Sequence, residues 1–126
     1  MRSALGKAIL SASPPALRRE MLDLTASLVE EDAGLAKDRR FIEDILLQTK
    51  NDGYASSVGG SEAGISAIAL AISGGGPVLG SVNLIFFSSS MSPEVAARRY
   101  LTHMKQAVGE IERRWSAANH ARGKIA

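Results

Sequence analysis

The residues in this chain that could hold a ligand lie on one hairpin. Two β-strand patterns, about residues 64 to 73 and 77 to 87, are joined through Gly74, Gly75 and Gly76. With a three-residue loop, Ser73 faces Pro77, Ala71 faces Leu79, Ala69 faces Ser81, Ala67 faces Asn83, and Ile65 faces Ile85. Side chains alternate across a sheet, so these share one face. Ala67, Ala69 and Ser81 withhold volume there, and Asn83 adds one donor and one acceptor at the edge of the hollow. An apolar hollow with one placed amide has the composition of a small-molecule pocket. The alternative is packing: Ala and Ser also let a helix come close. The register depends on loop length, because a loop of another length re-pairs the strands. The opposite face carries Ile68, Leu70, Ile72, Val78, Val82 and Leu84, a wall of aliphatics that needs a helix against it.

Catalytic arrangements are not visible. Gly6-Lys7 lacks the upstream glycine and the following hydroxyl of a phosphate-binding loop. Gly59-Gly60-Ser61-Glu62-Ala63-Gly64 misses the nucleophile-elbow spacing by one residue and reads as a turn. His103 and His120 stand seventeen residues apart without paired carboxylates, which disfavours a metal site or a triad. Glu30-Glu31-Asp32 reads as a charged loop, and Lys37 to Arg40 as the exposed start of a helix. No cofactor or metal is expected.

The elements that position the hairpin follow from periodicity and capping. Residues 3 to 12 read as a helix. Ser13-Pro14 ends it and starts a second helix to about residue 29, with Leu17, Met21, Leu24 and Leu28 as its stripe. Residues 30 to 34 read as a loop, and a third helix spans about 36 to 51 with Gly53 just past its end. Tyr54 to Ser57 reads as a strand, followed by a turn at Gly59, Gly60 and Ser61. Ser92 and Pro93 open the last helix, whose seam is Leu101, Met104, Val108, Ile111 and Trp115. Residues 119 to 126 read as a flexible tail.

Composition narrows the class. The 126 residues suffice for one α+β domain, here 1–118, with its own core. The net charge is only +2, and Arg is mixed with Glu as in Glu110 to Arg114, unlike the concentrated basic face of a nucleic-acid module. The chain has no cysteine, hence no disulfide framework, and no apolar run long enough for a membrane span. A cytoplasmic protein without a membrane partner is expected.

Five segments in order carry a resemblance: Ser3 to Leu10, Asp52 to Ala55, Gly64 to Ala69, Val78 to Val82, and Glu110 to Arg114. In this order and spacing the chain resembles the effector-binding domain of IclR-family bacterial transcriptional regulators, over nearly its whole length. The resemblance implies a GAF-like (profilin-like) antiparallel sheet flanked by helices. It implies a sensor of a small organic acid, of the kind found in regulators of aromatic-acid catabolism, acting as a homodimer or homotetramer. DNA would be bound only through a winged helix-turn-helix that normally precedes this domain. The family's two or three strands before the first helix have no counterpart here, so an N-terminally truncated effector domain is expected. Carried over by position, the family's site implies backbone amides near Ala4 and Leu5. It places a pocket cysteine of some members at Ala67, a pair of serines at Asn83 and Ile85, and an acidic residue near Ser57. The effector-binding set is therefore Ala4, Leu5, Ser57, Ala67, Ala69, Ser81, Asn83 and Ile85. A purely structural dimerisation domain is the second reading, and an enzyme the third.

Overall fold

The computed structural model describes residues 2–60 and 62–125. Ser61, expected in the turn after the first strand, and Ala126 lie outside them. Helix α1, Ala4–Ala12, begins at Ser3, whose Oγ accepts from Gly6 N–H at 3.1 Å. Ser13 closes this helix rather than opening the next: its N–H reaches Ile9 O and its hydroxyl donates to the same oxygen at 2.7 Å. The reason is Pro15. A residue before proline avoids the helical region, so Pro14 stays extended and α2, Pro15–Leu28, starts one residue later.

The acidic run expected as a loop forms helix α3, Glu30–Lys37. Three carboxylates in its first turn complement the positive end of the helix dipole. Asp38 then caps α4, Arg39–Asp52, by accepting from Phe41 N–H. Gly53 ends α4 with φ of +80°, a left-handed conformation that glycine adopts without strain.

Strands β1 (Ala55–Val58), β2 (Ile65–Ser73) and β3 (Val78–Phe87) form one antiparallel sheet in the order β1-β2-β3. The hairpin register differs from the expected one by two residues: Ala67 pairs with Ile85, Ala69 with Asn83 and Ala71 with Ser81. An irregularity between Ile72 and Ser73 absorbs Leu79, so the loop is longer than three residues. A shift of two keeps the side chains of residues 65 to 72 and 80 to 87 on their expected faces, whereas Val78, beyond the irregularity, pairs with Ser73 and leaves the aliphatic wall it was expected to join.

Helix α5, Pro93–Ile125, is opened by Ser92, whose Oγ accepts from Val95 N–H. It covers the aliphatic face of the sheet, where Ile68 and Phe86 pack with Ala96, Leu101 and Met104. Its 33 residues extend about 50 Å, further than the sheet beneath. The seam therefore thins toward the end: Val108 is buried, but Ile111 is 41% and Trp115 39% exposed. The backbone remains helical past residue 118, with Asn119 to Arg122 exposed. Helix α2 buries none of its residues, and Leu24 and Leu28 of the expected stripe face solvent.

Candidate functional site

The eight residues singled out from the sequence meet in one layer. Two cross-strand rows run over the sheet face opposite α5, Ser57–Ala67–Ile85 and Ala55–Ala69–Asn83, and Ser81 sits beside Ala71 in the next. Helix α1 lies on these rows. Its Ala4 and Ala8 pack with Ala55, Ala67 and Ala69, flanked by Leu5 and Ala71. The volume withheld by the small side chains is thus taken up by the helix, and Ala69 is fully shielded. For Ala67 and Ala69, close helix packing is what the small residues allow.

The layer stays open toward β3. Ser81 and Asn83 are half-buried and Ile85 is 61% exposed. Ser81 Oγ donates to Leu5 O at 3.3 Å, which ties the first turn of α1 to β3. The Asn83 amide makes no hydrogen bond to the described residues. The first-turn N–H groups of Ala4 and Leu5 have no intrahelical acceptor, as at any helix start. At the other side of α1, Lys7 Nζ donates to Ser56 O at 3.0 Å. Burial pushes the Lys7 ammonium below its ordinary value.

A second concavity has no signature in the sequence. A cleft of about 480 Å³ lies between the C-terminal halves of α1 and α4 and the edge of β2, and of the expected residues only Ala69 lines it. Its walls come from three separate segments, Ala8 to Arg18, Leu46 to Ala55 and Ala69 to Ala71, brought together only by folding. Among the described residues no group of His, Cys, Asp and Glu could hold a metal ion. His103 and His120 are exposed on α5. No helix of the described residues is long and apolar enough to cross a membrane. Glu110 accepts from Arg113 and Arg114, which holds its carboxyl low and leaves this part of α5 charge-balanced.

Comparison with known proteins identifies this arrangement as an α+β regulatory-domain fold. The model of the family described as bacterial transcriptional regulator IclR C-terminal matches residues 1–113. The chain belongs to that family, which is one of transcriptional regulators and not of enzymes. Among solved structures it is similar to the inducer-binding domain of PobR from Acinetobacter, a double mutant in complex with 3-hydroxybenzoic acid. That match has 17% identity and a TM-score of 0.66, and covers 88% of this chain and 65% of the other. It is similar to the IclR protein of Thermotoga maritima at 20% identity and TM-score 0.72, covering 91% and 46%. It is similar to the C-terminal domain of KdgR from E. coli at 18% identity and TM-score 0.72, covering 91% and 70%. These likenesses concern the fold. The chain spans between about half and two thirds of the length of these relatives.

Proposed function

We propose that this chain is the ligand-sensing and oligomerisation domain of a cytoplasmic IclR-type regulator, and that its effector is a small organic acid, with aromatic acids first in line. The observation that carries this reading is the open margin between the first turn of α1 and β3. There the free amide of Asn83 lies beside Ser81 and the donor end of α1, with the buried Ser57 in the same layer two strands away on β1. A helix start offers N–H groups and a positive dipole to a carboxylate, while Leu5 and Ile85 offer apolar surface to a ring or chain. The hydroxybenzoate seen in the PobR domain is consistent with such a ligand. Binding that favours one assembly over another would reposition winged helix-turn-helix domains supplied outside this chain, in a homodimer or homotetramer.

A structural dimerisation domain without effector is the second reading, favoured by the filling of the Ala67–Ala69 hollow by α1. A thermal-shift screen of aromatic and aliphatic acids separates the two. A bound acid at 100 times its Kd adds about 2.7 kcal/mol, whereas the structural reading expects no shift with any acid. Asn83→Leu is expected to weaken the effector by about 1–3 kcal/mol, because a polar partner is lost, and to leave folding intact. Unchanged affinity in calorimetric titration would remove Asn83 from the site.

A further inference from the structure

Backbone groups along β2 alternate in the neighbour they face. Ile65 O accepts from Gly59 N–H on the β1 side, and Gly64 O accepts from Ser88 N–H on the β3 side. Ala67, Ala69, Ala71 and Ser73 therefore also turn their N–H and C=O toward β1. Ala67 and Ala69 meet Ser57 and Ala55 there. Ser73, past the end of β1, donates its N–H to Glu112 Oε2 at 2.8 Å. Between them Ala71 faces an edge that β1 has left, because the left-handed turn at Gly53 carries the chain back into α4. No protein partner for the Ala71 N–H or C=O is found on that side among the described residues.

This single open rung is too short to recruit another strand, and it looks into the cleft of about 480 Å³, within the size range of small-ligand sites. Ala8, Ala12 and Leu46 give the cleft an apolar wall, and Lys50 is among the residues that border it. The guanidinium of Arg18, held by Leu10 O and Ser13 O, adds a second cation, and no carboxylate of the described residues lines the cleft. Ser11 Oγ, also of the lining, is shut off from solvent in its observed rotamer and has no hydrogen-bond partner.

We propose that this cleft is a second binding site, for a small organic acid that also carries a hydroxyl. The carboxylate accepts from the Ala71 N–H and pairs with Lys50; the hydroxyl donates to the Ala71 C=O; the apolar body lies against Ala12 and Leu46. An N–H and a C=O side by side match a ligand that both accepts and donates, and leaving either unpaired in a partly buried cleft is costly. The proposal shares only the class of ligand with the preceding reading, and the two are tested separately.

The test is a titration of the 15N-labelled protein with mandelate, whose hydroxyl neighbours its carboxylate, and with phenylacetate, which lacks that hydroxyl, followed by amide chemical shifts. Saturable shifts at Ser11, Thr49 and Ala71 are expected, with binding several-fold weaker when the hydroxyl is absent. Lys50 and Ala12 are exposed, so Lys50→Glu and Ala12→Trp should fold normally. Each should weaken these shifts at least tenfold, while Asn83→Leu leaves them unaltered. Shifts confined to Ala4, Leu5 and Asn83, no shifts at all, or full affinity in Lys50→Glu would overturn the second site. Shifts at Ala71 without any at Asn83 would instead leave it standing and sink the effector reading above.

Discussion

Burial of α5 against the sheet can be tested by making one chemical change at two positions. Ile68 has no exposed surface and is enclosed by Tyr54, Phe86 and Ala96. Ile68→Ala removes three carbons, worth about 2.4 kcal/mol at about 0.8 kcal/mol each. The cavity left between a sheet and a helix that cannot fully collapse adds to this, for an expected loss of about 4 kcal/mol, within the usual 2–5 kcal/mol. Ile111 lies on the same seam but is 41% exposed. Water fills the space vacated by Ile111→Ala, so about 1 kcal/mol is expected there. Urea unfolding with unchanged slope should show the roughly 3 kcal/mol difference as separate midpoints. Equal losses at the two positions would refute the reasoning. A large Ile111 loss that grows with protein concentration would mean the seam is covered by another copy.

Three further outcomes are expected. Burial lowers the Lys7 pKa below 10.5, so the unfolded chain holds more protons between the folded value and 10.5 and stability should rise with pH through that alkaline window; Lys7→Met should abolish the rise, and an equal pH slope in both proteins would contradict it. Ala67→Phe, at a position packed under Ala4 and Ala8, should cost about 1–3 kcal/mol by overpacking, visible as a lowered Tm; an unchanged Tm would show that α1 does not lie on this row. The chain alone should bind DNA weakly and without sequence preference, given its net charge of +2; nanomolar, selective binding in an anisotropy titration at about physiological salt would place DNA contacts on these helices.

The sequence by itself determined what one residue or a short period can enforce. Gly53 ends α4 because the position needs a positive φ, and Ser92 with Pro93 opens α5 because both suit a helix start. Alternation along residues 65 to 72 sorted the two faces of β2, which survived a register error of two because the side-chain period is two. Tertiary structure decided everything that depends on what stands opposite. Ala67 and Ala69 carry the same small side chains whether they border a pocket or a helix, and only the placement of α1 made them core. Leu24 and Leu28 have the spacing of a buried stripe, yet no element covers them. The acidic run could cap or interrupt a helix, and α3 formed where Ala36 found a core to enter. The open rung at Ala71 exists only because the pairing of β1 ends at Ala55 and Ala69, two residues short of it, a length difference between two strands that no local pattern encodes.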